Sequence, residues 1–362
     1  MYGTKFSEPQ DKRISLAKIS TEPPEGLDRE AAEAKFAGVG EELFELQQLM
    51  YGAGTHSLLV VLQGRDAAGK DGTVKHVVGW LNPRGVEVAS FGVPSELERD
   101  HDFLWRAHLV APRRGHATIF NRSHYEDVLV VRVDKLAPQS VWRARYEQIN
   151  QFEALLASAN TIIVKLMLHI SPEEQAERFV ERELDATKAF KLNVGDWKKR
   201  TQWRAYTQAY EDAIARCASA HAPWVVVPAD KKWFRNLVVA EALRDALAPH
   251  KRRWRRALDE LGKEQLAALE AYRATPAGAK VAATIAKQAR GRVDHPDYAQ
   301  EPSDGGAEAP EAAKKAKAKD KNRDKNRDKS KKGKEKAKDK KGKGKGRDKD
   351  KDKRKKRKKK ED

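Results

Sequence analysis

Residues 58–73 read LLVVLQGRDAAGKDGT, an apolar run followed at once by a glycine-rich segment. The apolar run predicts a buried β-strand over Leu58–Gln63, and the pattern beyond the glycines predicts a helix over Gly72–Leu81. Between them stands G-x-x-x-x-G-K, from Gly64 to Lys70, which is typical of a phosphate-binding loop, or P-loop, in this strand–loop–helix context. The stretch therefore predicts a phosphate site in an α/β fold.

The predicted P-loop supplies both backbone N–H groups and positive charge. Its glycines let the chain curl so that successive N–H groups point inward, and the helix N-terminus adds positive potential. The predicted phosphate-binding residues are Gly64, Arg65, Ala67, Ala68, Gly69, Lys70, Gly72 and Thr73. A glycine-rich turn with a surface lysine is the alternative interpretation.

Two aspartates depart from the usual P-loop. The Ser or Thr that commonly follows the lysine and binds Mg²⁺ is Asp71 here. Asp66 lies inside the loop, where a carboxylate repels phosphate unless a divalent cation or a proton neutralises it. We therefore predict that Asp66 is a Mg²⁺ ligand or a base for the attacking phosphate, with helix capping as the alternative. For Asp71 a favourable interaction with the helix dipole is the preferred interpretation.

Short apolar runs alternate with helical patterns as far as residue 250. After Leu58–Gln63, strands are predicted at Val86–Phe91, Ala117–Asn121, Thr161–Ile170 and Trp224–Pro228. Helices are predicted before, between and after them at Asp28–Tyr51, Gly72–Leu81, Glu96–Ala107, Gln139–Ser158, Pro172–Leu184, Lys198–Ser219 and Trp233–Leu247. This alternation predicts a mostly parallel five-stranded sheet with helices on both faces. Ligands of such sheets bind beyond the carboxyl ends of the strands.

A second polar cluster follows the predicted strand at Ala117–Asn121, where residues 121–127 read NRSHYED. Arg122 can bind a phosphate in bidentate fashion, and Asn121 offers only an amide oxygen, so that metal binding shifts towards Glu126 or Asp127. The predicted catalytic residues are Asp66, Lys70, Asn121, Arg122 and Glu126. The predicted metal ligands are Asp66, Asn121, Glu126 and Asp127.

Four segments resemble the polyphosphate kinase 2 family. They are GRDAAGKDGT, LNPRG at Leu81–Gly85, FNRSHYEDVLVVRV at Phe120–Val133 and APWVVVPADKKWFRN at Ala222–Asn236. The resemblance covers about residues 30–250 and implies a thymidylate-kinase-like P-loop kinase fold. It also implies Mg²⁺-dependent phosphoryl transfer between inorganic polyphosphate and adenine nucleotides, with guanine nucleotides left open, by a homo-oligomer. Most members read FDRSWYNR, whereas FNRSHYED resembles the branch that phosphorylates AMP as well as ADP. Asn121 replaces an aspartate that is a metal or catalytic residue in the other branches.

The resemblance also places the family's mobile helical lid at about residues 173–200. Arg178, Arg182, Lys188 and Lys191 are its expected polyphosphate-binding cations, because closure of a basic lid excludes water and holds a polyanion. Lys198, Lys199 and Arg200 are assigned instead to a solvated helix face. The scattered tryptophans, Trp203 among them, are predicted to build core.

The net charge of +19 lies in the C-terminal tail. Its last 51 residues carry 29 of the 73 basic and 10 of the 54 acidic side chains, so that the remaining 311 residues hold 44 of each. We predict a loose segment at 1–27, the P-loop domain at 28–250, accessory helices at 251–295 and a disordered Lys-rich tail at 301–362. The tail could concentrate polyphosphate, tether the protein to another polyanion, or only keep it in solution.

Cysteine use and hydropathy predict a cytoplasmic protein. Cys217 is the only cysteine, so no internal disulfide can form. The longest apolar runs are strand-length, far short of a membrane span, and the N-terminal residues do not resemble a signal peptide. Two functional alternatives remain: a nucleoside monophosphate kinase that uses ATP as donor, and a polyanion-binding scaffold with an inactive P-loop.

Overall fold

A six-stranded sheet forms the centre of the computed structural model, which describes residues 2–10 and 14–293. In chain order its strands are β1 Thr4–Phe6, β2 Ser57–Gly64, β3 Val86–Ser90, β4 Ala117–Asn121, β5 Thr161–His169 and β6 Trp224–Pro228. Their spatial order is β1-β6-β5-β2-β4-β3, and every pairing is parallel except that of β1 with β6. The predicted mostly parallel α/β sheet is confirmed.

The predicted count of five strands is wrong, because β1 adds a sixth at the edge of the sheet. This strand pairs Thr4 with Val226 and Phe6 with Trp224. It is only three residues long and contains no apolar run, so it takes its conformation from the edge of β6 rather than from its own pattern. Farther along the same N-terminal segment, the side chains of Ile14 and Leu16 are buried. The segment predicted to be loose is therefore packed at these points.

The helices are α1 Arg29–Ala53, α2 Lys70–His76, α3 Glu96–Arg99, α4 Trp105–Leu109, α5 Val130–Val133, α6 Gln139–Ser158, α7 Pro172–Leu184, α8 Val194–Arg200, α9 Trp203–Cys217, α10 Lys232–Leu247, α11 Lys251–Arg273 and α12 Pro276–Val293. The single helix predicted at Glu96–Ala107 is two short ones. The second begins where the Asp102 carboxylate accepts a hydrogen bond from the backbone N–H of Leu104. The pattern predicted as one helix at Lys198–Ser219 is likewise divided between α8 and α9.

Both faces of the sheet are covered by helices, as predicted. All eight residues of β2 are buried, and successive side chains point to opposite faces. Leu58, Val60 and Leu62 pack with apolar residues of α1 and α10. Leu59 and Val61 pack on the other face with residues of α6 and α9. This two-sided burial is why the strand reads as a continuous apolar run.

Residues 251–293 contain α11 and α12. Trp254 of α11 is fully buried, and its Nε1 donates a hydrogen bond to Nδ1 of His56 over 3.1 Å. Among the described helices, none has the length and apolar composition that crossing a membrane requires. The predicted disordered tail at 301–362 lies outside the described residues.

Candidate active site

The predicted P-loop joins the carboxyl end of β2 to the first turn of α2. Gly64 allows close approach to β5, because a Cβ atom there would lie 2.9 Å from the carbonyl oxygen of Leu168. Gly69 has φ of 105°, a left-handed conformation that favours glycine, and it is the N-cap residue immediately before α2. The predicted phosphate-binding residues thus run from the last residue of β2 through the loop into the first turn of α2: Gly64, Arg65, Ala67, Ala68, Gly69, Lys70, Gly72 and Thr73.

Lys70 folds back over the loop. Its Nζ donates to the carbonyl oxygens of Gly64 at 2.8 Å and Arg65 at 3.2 Å, and the side chain is buried. Burial, followed by the positive charge of Arg122, lowers the pKa of Lys70 to about 8, although Asp66 acts in the opposite direction. The ammonium group is therefore held at the start of the loop with part of its donor capacity unused.

Arg122 brings the second predicted cluster to the P-loop. It follows β4, whose Asn121 pairs in register with Leu62 of β2. Arg122 Nη2 lies 2.5 Å from Asp66 Oδ1, and its Nη1 lies 3.6 Å from Glu126 Oε2. The structure therefore brings together three predicted site residues, two carboxylates around one guanidinium.

Arg122 has φ of 61°, which is uncommon for a residue with a side chain and is typical of positions that the surrounding structure constrains. Burial alone would raise the pKa of Asp66, but the charges of Lys70 and Arg122 outweigh it and lower that pKa. Asp66 is thus an ionised carboxylate inside an anion-binding loop, and Arg122 offsets its charge.

Asn121 and Asp127, two further predicted site residues, have partners other than Arg122. Asn121 Nδ2 donates to Asp71 Oδ1 over 3.1 Å. Asp127 accepts a hydrogen bond from Arg145 Nη1 at 2.8 Å and lies 3.8 Å from Arg106 Nη2. Burial raises the pKa of Asp127 to about 6 despite the two neighbouring arginines. Asp127 is thus paired with two other arginines, whereas Asp66 and Glu126 are both paired with Arg122.

The predicted lid cations differ in what they contact. Arg178 is buried, and its Nη1 donates to the carbonyl oxygens of Ala67 and Ala68, while its Nη2 donates to those of Ala229 and Asp230. Because these bonds tie the P-loop to the segment that follows β6, Arg178 positions the loop. The other three lie beside carboxylates, at 3.6 Å for Arg182 with Asp196, 2.6 Å for Lys188 with Asp185 and 3.6 Å for Lys191 with Asp71.

A pocket opens between the P-loop, Arg122 and the helices α7–α9. Asp66, Glu126 and Arg122 line its charged side. Lys199 and Arg200 line it as well. Their assignment to a solvated helix face is therefore wrong: α8 ends at the mouth of the pocket rather than continuing into one long surface helix.

The opposite wall of the pocket is aromatic and was missed by sequence reasoning. Trp203, Tyr206 and Tyr210 of α9 line it. The guanidinium of Arg65 lies 3.8 Å from the ring centroid of Trp203 and donates to Thr207 Oγ1 at 2.5 Å. Spacings of three and four residues put the aromatic rings on one helix face, a signal that also fits core packing. Trp203, which was predicted to build core, packs against the hydrophobic core and also lines the pocket.

The donor set suits a divalent cation that arrives with phosphate. Glu126 Oε1 is a buried acceptor without a hydrogen-bond partner within residues 2–10 and 14–293. The same residues hold no group of three or more His, Cys, Asp or Glu side chains arranged around a metal. Mg²⁺ in phosphoryl-transfer sites is bound by one or two carboxylates together with substrate phosphates and water. Asp66 and Glu126 meet this requirement.

Comparison with known proteins gives one consistent result. The family model described as Polyphosphate kinase 2 matches residues 26–255. The chain is 46% identical over 245 residues to the AMP/ADP-polyphosphate phosphotransferase of Meiothermus ruber, covering 67% of this chain and 92% of that protein. It is 40% identical over 219 residues to the ADP-polyphosphate phosphotransferase of Rhodopseudomonas palustris, covering 57% and 76%. The crystal structure of polyphosphate kinase 2 from Arthrobacter aurescens TC1 is similar with a TM-score of 0.63 at 38% identity, covering 67% of this chain and 90% of that one.

Proposed function

The chain belongs to the polyphosphate kinase 2 family, and from that premise we propose that it transfers phosphoryl groups between inorganic polyphosphate and both AMP and ADP. The observation that carries the proposal is the joining of Arg122 to Asp66 at the mouth of the P-loop. Together with Lys70 and the N–H groups of the loop, Arg122 places several positive groups at one point. A phosphoryl group in transfer spreads its charge over several oxygens and needs such an arrangement.

The proposed mechanism depends on position and charge rather than on a protein nucleophile. An acceptor phosphate is already anionic near neutral pH, so it can attack without losing a proton to the enzyme. The loop N–H groups and Lys70 hold one phosphate, and Arg122 reduces the repulsion as the second phosphate approaches in line. Arg178 keeps the loop in place through its carbonyl contacts.

Mg²⁺ is the proposed cofactor, with Asp66 and Glu126 as the residues that would hold it. When bound, it would neutralise phosphate oxygens of donor and acceptor. Arg122 keeps both carboxylates at the mouth of the pocket, and Glu126 Oε1 is an unused acceptor there.

The nucleotide carries a planar base and polyphosphate carries repeated negative charges, while the pocket has an aromatic side and a basic side. The aromatic side of α9, with Trp203, Tyr206 and Tyr210, suits a planar base, because aromatic rings stack on flat π-systems. The cations of the lid and of α8, including Lys191, Lys199 and Arg200, suit the repeated charges of polyphosphate. We assign the nucleoside to the aromatic side and the polymer to the basic side.

Several finer statements stay predictions: the thymidylate-kinase-like arrangement of the fold, a homo-oligomer, use of guanine nucleotides, polyanion contacts of the tail and a cytoplasmic location. None of them is needed for the proposed chemistry.

The test is to incubate purified protein with AMP, long-chain polyphosphate and Mg²⁺, without ATP, and to follow ADP and ATP by chromatography. We expect ADP first and then ATP, and no product from Lys70→Ala with an unchanged circular dichroism spectrum. ATP formed from ADP but no ADP formed from AMP would contradict monophosphate use. Product that requires added ATP would indicate an ATP-dependent kinase, and polyphosphate binding without turnover would indicate a scaffold.

A further inference from the structure

Arg235 is a buried arginine that lies against the P-loop helix. It belongs to α10, in the segment KKWFRN, and only 2% of the residue is exposed. A Cβ atom on Gly69 would lie 2.0 Å from Arg235 Nη1, and one on Gly72 would lie 3.1 Å from Nη2. The guanidinium therefore occupies the space that side chains at these two positions would need. A side chain at Gly69 would force the guanidinium to move, and one at Gly72 would crowd it.

The charge of Arg235 has no acidic partner among the residues that the structure describes. Its Nε and Nη2 both donate to Asn236 Oδ1, at 3.2 and 2.7 Å, and this acceptor is a neutral amide. The charged group beside it is Arg178, another cation, and burial together with Arg178 lowers the pKa of Arg235. Arg178 differs in having Glu174 Oε1 at 2.9 Å from its Nε.

A buried cation without a counter-charge opposes folding, because its hydration is lost and nothing in the protein replaces it. Functional sites keep such a group because it contributes to binding or catalysis, even though it lowers the free energy of unfolding. The adjacent loop is the predicted phosphate cradle, and its ligands are polyanions. At short range in a dry environment, a positive charge beside the first turn of α2 attracts phosphate strongly.

We propose that Arg235 is a phosphate-positioning residue: an uncompensated guanidinium that shapes the Gly69–Gly72 turn and supplies positive charge for the phosphate held in it. The inference rests on the proposed function, since it needs a polyanion in the P-loop. It gives α10, far along the chain from both sequence clusters of the site, a part in positioning the phosphate that the P-loop holds.

A structural role and a binding role predict opposite results for Arg235→Met. Methionine is long and apolar, so it fills much of the space without charge. If the charge serves binding, the variant has a melting temperature equal to or above that of wild type, yet binds tripolyphosphate at least tenfold more weakly in calorimetry. Arg235→Lys restores a large part of the affinity because it restores the charge. The affinity of wild type also falls more steeply with added salt than that of Arg235→Met.

The matched control is Arg244→Met on the same helix. Arg244 is paired with Glu42 and Asp245 and lies nine residues beyond Arg235, so its loss should leave tripolyphosphate affinity unchanged. Tripolyphosphate affinity of Arg235→Met within twofold of wild type would overturn the inference. So would a fall in melting temperature by more than about 5 °C with no recovery of affinity in Arg235→Lys. If wild type itself neither binds tripolyphosphate nor transfers phosphate, it is the proposed function that fails.

Discussion

Arg122 Nη2 donates to Asp66 Oδ1 over 2.5 Å, and this contact joins the ends of two neighbouring strands. Asp66 lies in the loop after β2, and Arg122 follows β4. Since the two strands are parallel and adjacent, their carboxyl ends meet at one edge of the sheet. The ion pair keeps an acidic residue ionised within a phosphate cradle.

Replacing Asp66 by Asn should lower kcat about 100- to 1,000-fold, the range seen when one well-placed charged or polar group is removed from a transition state. Asparagine keeps the size of the side chain but loses its charge, so Arg122 is left without its closest counter-ion. Steady-state assays with polyphosphate and ADP would measure the loss.

The control for Asp66→Asn is Asp212→Asn. Asp212 makes a similar contact, 2.6 Å from Arg132 Nη1, but it is not among the residues that line the pocket. We expect kcat to change by less than about twofold there. Equal losses in the two variants would mean that Asp66 acts only through general stability.

Lys70 should make polyphosphate binding dependent on pH in the alkaline range. Its pKa is lowered to about 8, so the free enzyme loses this positive charge as the pH rises through that value. The association constant for tripolyphosphate should fall between pH 7.5 and 9.5, by at most about tenfold per pH unit. Calorimetry at fixed Mg²⁺ concentration would follow it.

Lys70→Arg provides the comparison for the pH profile. A guanidinium stays charged throughout this range, so the affinity of the variant should be flat from pH 7.5 to 9.5 even if it is lower overall. Parallel declines in wild type and variant would assign the titration to another group.

The P-loop and five of the strands could be predicted because their signals are local. A two-sided buried strand must be apolar throughout, and Ser57–Gly64 differs from the predicted Leu58–Gln63 by one residue at each end. The turn from Gly64 to Lys70 is likewise specified by its own glycines. Thr4–Phe6 carries no such signal, since a short edge strand depends on its partner.

The positioning residues could not be predicted, because their role depends on contacts between distant segments. Arg178 was assigned to phosphate binding from its charge and its place in the lid. Its bonds to Ala67 and to Ala229, far apart in sequence, place it under the loop instead. In the sequence, Arg235 was only one residue of a segment that resembles the family. The presence of an arginine or lysine in the sequence does not reveal whether its side chain binds a phosphate or a backbone carbonyl group.

Arg178→Met should destabilise the protein and impair both substrates equally. The change leaves buried carbonyl groups of the P-loop and of the segment after β6 without their donor, which should cost about 3–5 kcal/mol, as for breaking a buried charged network. Differential scanning calorimetry should show a fall in melting temperature of roughly 10 °C. KM values for polyphosphate and nucleotide should rise together.

Lys188→Met, another substitution in the lid, is the comparison for Arg178→Met. Lys188 is paired with its neighbour Asp185 on the surface, so its loss should leave the melting temperature nearly unchanged. If this lysine contacts the polymer, KM rises for polyphosphate alone. An Arg178→Met protein as stable as Lys188→Met would contradict the positioning role of Arg178.

Tyr206→Phe should weaken nucleotide binding without weakening the fold. Tyr206 lines the aromatic side of the pocket, and its hydroxyl is buried with no hydrogen-bond partner in the part of the chain that the structure describes. Removing an unpaired buried hydroxyl leaves stability equal or slightly higher, whereas losing one hydrogen bond to the nucleotide raises its KM about 3- to 10-fold. Tyr146→Phe should do the reverse, since its hydroxyl accepts from Arg132 Nη1 at 3.1 Å and Tyr146 is not among the residues that line the pocket. Thermal unfolding and the KM for AMP, measured on both variants, separate the two effects. An unchanged KM for AMP in Tyr206→Phe would remove this hydroxyl from the nucleotide site.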